Sequence, residues 1–326
     1  MDLGISGRRA LITGGSLGIG RATAAELAAE GVDVAIVARD KPRLDAAAQE
    51  LSANAGGNKG GRVIGIAGDM GNAEDIARVI DEASAALGGI DILVNNAGSS
   101  PAGRIEDLDD ETWMSSFELK FMGYMRLSRA VLPAMRAQKW GRIVNIIGGG
   151  GHSPRPGYIL GGAYNAALIN FTRALGKSAA PDGVLVNGIN PSSIDTPRWA
   201  TLMQQRSKFE GRSPDEINAG IEANIPVGRL GKAEEIASAH RKTSPGWSPS
   251  CVRSARVSSP RSTSTPMAGR RPDCSRKVAV PAALPRICPS GKTGFSPKTG
   301  SARRRWRQRG ACVESRNLYG FVTSRR

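Results

Sequence analysis

The chain has 326 residues, 40% of them hydrophobic, and a formal net charge of +16, which gives enough apolar material for one large α/β domain or two smaller ones. The excess charge is confined to one end: residues 241–326 hold 20 Lys and Arg against Asp273 and Glu314, so residues 1–240 carry a net −2, the balance of an ordinary near-neutral domain. All four cysteines (Cys251, Cys274, Cys288, Cys312) also lie in that end without a Cys-x-x-Cys pair, which speaks against a zinc site and leaves a cysteine-free body suited to the cytoplasm.

A strand-like run begins near Arg9 with no apolar leader before it, and no run of about 18 apolar residues occurs, so neither secretion nor membrane insertion is expected. From there short β-branched runs alternate with helical patterns. The strands are expected at Ala10–Thr13, Val32–Val37, Val63–Ala67, Ile90–Val94, Ile143–Ile147 and Val184–Ile189. Helices are expected between them, among them Gly20–Glu30, closed by Gly31, and Ala163–Lys177, with an apolar stripe of Ala167, Leu168, Phe171 and Leu175. This order predicts an α/β fold of three layers, a doubly wound parallel sheet whose right-handed crossovers bring every strand's carboxyl end to one ligand-binding rim.

The first strand runs into Thr13-Gly14-Gly15-Ser16-Leu17-Gly18-Ile19-Gly20 and then a helix, the setting in which backbone N–H groups approach a pyrophosphate. Asn95-Asn96-Ala97-Gly98 follows the fourth strand. Together these motifs resemble the short-chain dehydrogenase/reductase family, with its Rossmann fold, from about Gly7 to Ala239. The resemblance implies cofactor contacts from Gly14, Ser16, Leu17, Gly18, Ile19 and Gly20, from Asn96, Ala97 and Gly98, from Asp69 and Met70 at the adenine, and from Pro191, Ile194 and Thr196 at the carboxamide. Ser192 stands where the family usually has glycine.

At the end of the second strand Ala38 takes the position where an NAD-preferring member carries an acid, and Arg39 follows. A guanidinium there pairs with a 2′-phosphate, so NADP(H) is expected over NAD(H). The alternative is that Arg39 points to solvent and Asp40 reads the ribose.

The family's chemistry uses Tyr, a Lys four residues on, Ser and Asn. Alignment puts Gly161, Asn165, Gly148 and Lys120 at those four positions. Lys and Asn are thus exchanged across the site, and the expectation is that Lys120 reaches the ribose or the proton donor from the opposite helix while Asn165 takes a hydrogen-bonding role. The best donor candidate is Tyr158, seven residues before Asn165 and so two turns away if the helix starts early enough, although Pro154, Pro156, Gly157, Gly161 and Gly162 favour a loop. Tyr164 points about 100° away from Asn165 on a helix and reads as packing. His152 and Ser153 read as a solvated loop, Gly148–Gly151 as a flexible turn, and Arg198–Glu222 as a mobile lid whose Trp199, Leu202 and Met203 form an apolar wall.

The pattern breaks after Ala239, where the chain becomes a basic Ser-, Pro- and Arg-rich tail (240–326). As a genuine segment it would be disordered, with Arg303-Arg304-Arg305-Trp306-Arg307 available to nucleic acid. However, back-translating residues 243–269 and reading two nucleotides later permits Asp-Val-Ala-Gly-Leu-Val-Ala-Phe-Leu and later an ending in Asp-Ala-Asp-Gly-Gly. Those are the family's missing last helix and strand, so the tail reads as a frameshifted ending and the last strand of the sheet as missing. A homo-oligomer is expected for the family, and here its interface is expected to be disrupted.

The leading expectation is an NADP-dependent oxidoreductase transferring hydride between the nicotinamide and a small-molecule carbonyl, alcohol or activated alkene. The alternatives are a nucleotide-binding relative with lost chemistry and, less favoured, a nucleic-acid-binding protein acting through its tail. Re-sequencing the DNA through the codons for Ser238 to Thr243 is expected to reveal the shift; an intact frame in independent isolates contradicts it.

Overall fold

The structure is a computed structural model that describes residues 3–55 and 60–239; the basic tail and its reading frame lie outside them. Six parallel strands, β1 (Arg9–Thr13), β2 (Asp33–Ala38), β3 (Val63–Ala67), β4 (Ile92–Asn95), β5 (Gly141–Ile146) and β6 (Val184–Ile189), form one sheet in the order β3-β2-β1-β4-β5-β6. The helices are α1 (Gly18–Ala29), α2 (Lys41–Asn54), α3 (Ala73–Leu87), α4 (Asp110–Phe117), α5 (Gly123–Ala137), α6 (Ile159–Ala179), α7 (Pro197–Glu210), α8 (Pro214–Glu222) and α9 (Ala233–Ala239).

Alternate residues of β1 face opposite layers, as strand geometry requires. Ala10 and Ile12 pack with Leu27 and Leu44 of α1 and α2, while Leu11 packs with Val79 of α3 and Leu127 of α5. The continuous apolar runs therefore mark strands buried on both faces. The strand order reverses between β1 and β4, and the crevice there, at the carboxyl rim, is where such sheets bind ligands. Among the described residues β6 pairs only with β5.

Most element ends differ from expectation by one or two residues, and two helix starts bear on the site. Helix α1 begins at Gly18, two residues before Gly20, and α6 begins at Ile159, four before Ala163. The Gly161-Gly162 pair stays helical because the chain is held from its first turn: the Gly162 N–H donates to the Tyr158 carbonyl at 2.9 Å, and tertiary packing at these glycines offsets their low helix propensity.

At the opposite end of the sheet Asp91, 1% exposed, accepts from the Arg9 backbone N–H at 3.1 Å, from Arg9 Nε at 2.7 Å and from Gln138 Nε2 at 3.0 Å. Burial pushes this carboxyl up, but Arg9 and Gln138 outweigh it and hold the group below its ordinary range. A depressed folded-state pKa adds stability above the unfolded pKa of about 4 and loses it as pH falls through the folded value. Asp91→Ala is expected to cost about 3 kcal/mol in urea unfolding at neutral pH, because it leaves Arg9 unpaired, and the cost is expected to shrink below about pH 4.

Candidate active site

The loop after β1 is braced from β4. Thr13 Oγ1 accepts the Asn96 and Ala97 N–H groups, each at 3.0 Å, and Asn96 Nδ2 donates to the carbonyls of Thr13 at 3.0 Å and Gly14 at 3.1 Å. Helix α1 then starts after Leu17 with no side chain capping its free N–H groups. By contrast, α2, α3, α7 and α8 are capped by Asp40, Asn72, Thr196 and Ser213. An uncapped helix start combines a positive dipole end with open donors, a receptor for an anion. Gly20 serves packing: a Cβ there would lie 2.3 Å from the Gly14 carbonyl oxygen, so the residue keeps helix and loop in contact without lining a cavity.

Two hollows open on this loop. The smaller, about 250 Å³, is lined by Gly14, Ser16, Arg39, Asp69, Met70, Ala97 and Gly98 among others. Arg39 is 73% exposed there and stands 3.9 Å from Asp69. Asp40 is already engaged, accepting the Arg43 N–H at 3.1 Å as the α2 cap and pairing with the Arg43 guanidinium. The larger hollow, about 740 Å³, is lined by Gly14, Leu17, Gly18, Ile19, Asn96, Ala97, Gly98, Pro191, Ile194 and Thr196, and also by Lys120, Tyr158 and Asn165. Every site residue expected from the sequence except Gly20 therefore lines one of the two hollows.

Lys120 lies on a single π-helical turn, Glu118–Met122, between α4 and α5, the widened geometry that recurs at functional sites. Its amine donates to the Ile147 carbonyl at 2.5 Å, and its side chain runs against Gly98, where a Cβ would meet Lys120 Cδ at 2.8 Å. Burial, reinforced by the charge of Arg198, brings the amine down to about 7. Asn165, 1% exposed, points its Nδ2 at Gly148, whose Cβ would stand 2.9 Å from it, and its Oδ1 has no hydrogen-bond partner.

Tyr158 precedes the first residue of α6, and its ring lies over Gly161: a Cβ on residue 161 would stand 2.2 Å from Tyr158 Cζ and 2.6 Å from Ser100 Oγ. The phenol thus fills the space that a side chain on residue 161 would enter. On the β5 side the ring passes Gly150, where a Cβ would stand 3.2 Å from Tyr158 Cδ1.

Tyr164 packs as expected, 3% exposed, yet it also lines the larger hollow. Burial and the neighbouring Tyr158 phenol push its hydroxyl up well above the ordinary range, against a smaller opposing pull from Ser100. His152 and Ser153 are exposed and away from the hollow, while Trp199, Leu202 and Met203 line it. Sequence reasoning did not single out Ser100, Arg155, Arg198, Arg206 or Phe209, which also line it; the signal available was three arginines in and beside the lid. It also missed the buried relay that seats α6 on the sheet: Asn95 Nδ2 donates to Asn145 Oδ1 at 2.9 Å, Asn145 Nδ2 to Thr172 Oγ1 at 2.8 Å, and Thr172 Oγ1 to the Leu168 carbonyl at 2.7 Å.

A dinucleotide fits this donor set. The open α1 N-terminus suits a pyrophosphate, and the unpartnered Oδ1 of Asn165, a residue that lines the larger hollow, is a buried acceptor suited to a donor such as a ribose hydroxyl. Residues 8–207 match the short chain dehydrogenase family. The 3-oxoacyl-acyl-carrier-protein reductase FabG of Escherichia coli K12 is 35% identical over 240 residues, 73% of this chain and 89% of that protein. The L-sorbose reductase of Gluconobacter frateurii, solved with NADPH and L-sorbose, superposes with a TM-score of 0.68 at 34% identity, covering 74% of this chain and 90% of that one. An NAD+-bound xylitol dehydrogenase superposes with a TM-score of 0.67 at 25% identity, covering 72% and 91%. The chain belongs to the short-chain dehydrogenase/reductase family, and its relatives are NAD(P)-dependent oxidoreductases.

Gly161→Ala tests whether the phenol depends on the empty position. The added methyl is expected to expel the Tyr158 ring and to lower turnover about 100-fold, leaving NADPH affinity within about twofold; a variant with unchanged turnover contradicts this placement.

Proposed function

We propose that the protein is an NADPH-dependent carbonyl reductase of the cytoplasm whose proton donor is Tyr158. The observation that carries this reading is the Tyr158 ring in the volume of residue 161, in one hollow with the glycine-rich loop. Bound in the two hollows, the cofactor supplies the hydride. Tyr158 donates its hydroxyl proton to the carbonyl oxygen as the alcohol forms. Lys120, as a cation, would stabilise the developing phenolate from the α5 side, and Asn165 Oδ1 would accept a hydrogen bond from the cofactor's ribose when it is bound.

The preference for NADP(H) rests on Arg39 and on the engagement of Asp40. With Asp40 capping α2 and paired with Arg43, the group a bound ribose 2′ position would meet at this hollow is the Arg39 guanidinium, in loose 3.9 Å contact with Asp69. That favours a 2′-phosphate over a 2′-hydroxyl. Arg39→Ala is expected to weaken NADPH binding about tenfold or more, by loss of a charge-assisted hydrogen bond, and to leave NADH binding unchanged. Equal losses for both cofactors, followed by fluorescence, contradict it.

Tyr158→Phe is expected to reduce kcat about 100-fold or more against a ketone panel with NADPH binding intact. Because Lys120 loses its charge near pH 7, kcat/KM for NADPH, which reports the free enzyme, is expected to fall as pH rises through about 7. Lys120→Met is expected to abolish that limb. A Lys120→Met enzyme with wild-type rate and pH profile removes the lysine from the mechanism. NADPH binding without turnover of any ketone or enone favours instead a nucleotide-binding protein without chemistry.

A further inference from the structure

We infer that the substrate is a carbonyl compound bearing a carboxylate, and that Arg198 holds that carboxylate; this rests on the reductase reading above. The larger hollow is lined by four cationic side chains, Lys120, Arg155, Arg198 and Arg206, and by one acid, Glu210. Glu210 is taken up by Arg206, whose Nε lies 2.6 Å from Oε1. The remaining wall is apolar, formed by Trp199, Leu202, Met203 and Phe209. An uncompensated positive charge in a half-enclosed apolar cleft focuses potential on an anion.

Arg198 is the cation placed to use that potential. It stands in the first turn of α7, where no acidic residue offsets it, and a cation there opposes the helix dipole. Among the described residues its Nη2 donates to the Ser100 carbonyl, a neutral acceptor that leaves the other donors free, and no carboxylate lies within ion-pair distance of it. The helix that carries it is anchored at this end: the Trp199 N–H donates to the capping Thr196 Oγ1 at 3.2 Å, Trp199 Nε1 donates to Asn218 Oδ1 at 2.9 Å, and Trp199 packs with Met203 and Ile217.

The placement relative to the proposed donor is what gives the guanidinium a role toward substrate. Ser100, which receives Arg198 on its carbonyl, has its Oγ 2.6 Å from the residue-161 position that the Tyr158 ring fills. Arg198 also depresses Lys120 by its charge, so its field reaches the buried amine. A carbonyl presented to Tyr158 therefore has a guanidinium within reach of an acid group a few bonds away. The pyrophosphate receptor at the start of α1 is a separate feature, built from backbone N–H groups without Arg198. Arg155, exposed at the mouth of the hollow, extends the same positive field to incoming anions.

The test uses the full chain with NADPH and a matched pair, 4-oxo-4-phenylbutanoate and its methyl ester, which share the ketone and the aryl group and differ in charge. Wild-type enzyme is expected to show a KM for the acid about tenfold or more below that for the ester. Arg198→Met is expected to raise the acid's KM about 30-fold, leaving the ester's KM and the NADPH Kd within about twofold. Arg198→Lys is expected to recover part of the loss. Binding of the same two compounds to the NADP+ complex is measured by calorimetry, so that the result does not depend on turnover. An acid that binds through Arg198 but is not reduced overturns the reductase reading and leaves the anion site standing. Equal binding of acid and ester in the wild type overturns the carboxylate assignment, as does an Arg198→Met variant that loses NADPH in parallel with the acid.

Discussion

The contact of the Tyr158 ring with the α6 backbone at Gly161 is the constraint on which the rest of the site depends. A ring that close to a helix requires the absence of a side chain beneath it, a helix that is already formed beneath it, and a wall opposite. Gly161, the early start of α6 and the Gly148–Gly151 turn meet the three conditions in turn. The glycines here act as volume rather than as flexibility. Each leaves a defined space, and in two cases a side chain that chemistry can use lies in it: Tyr158 over residue 161 and Asn165 against residue 148.

The exchange of Lys120 and Asn165 follows from the same economy of space. A lysine on the π turn reaches the end of β5 and donates to the Ile147 carbonyl, while the neighbouring Ile146 carbonyl accepts the Tyr124 hydroxyl at 2.8 Å. Both terminal carbonyls of that strand region are thus satisfied from the α5 side, so Asn165 is not needed there and its buried Oδ1 is left without a partner. An amine buried in this way has lost most of its hydration, so its charge is easily removed near neutral pH. The same burial makes any neighbouring charge, such as that of Arg198, count for more than it would in water.

Much of this was legible in the sequence where local physics decides. The parallel sheet shows in runs such as residues 10–12 and 34–37 because strands buried on both faces are continuously apolar. The nucleotide loop shows because close approach of backbone to phosphate and helix demands glycine at set intervals. What stayed hidden depends on distant contacts. Prolines and glycines around Tyr158 read as loop, since each helical glycine costs about 1 kcal/mol relative to alanine, and only packing across Ser100 and Gly150 keeps the helix. The π turn at Lys120 lies between the α-helical stretches Asp110–Phe117 and Gly123–Ala137, and no residue type in Glu118–Met122 marks the change of pitch. Asn95, Asn145 and Thr172 look like stray polar residues in apolar elements until their partners on other elements are seen.

The central claim is that the phenol of Tyr158 has taken the place of a donor rooted at residue 161. A crystal structure of the protein with NADP+ and a bound ketone product analogue tests it most directly. The account predicts the Tyr158 hydroxyl about 3 Å from the analogue's oxygen, with Lys120 on the α5 side of the ring and residue 161 beneath it. A structure in which Tyr164, His152 or a water stands at that oxygen while Tyr158 points to solvent contradicts it.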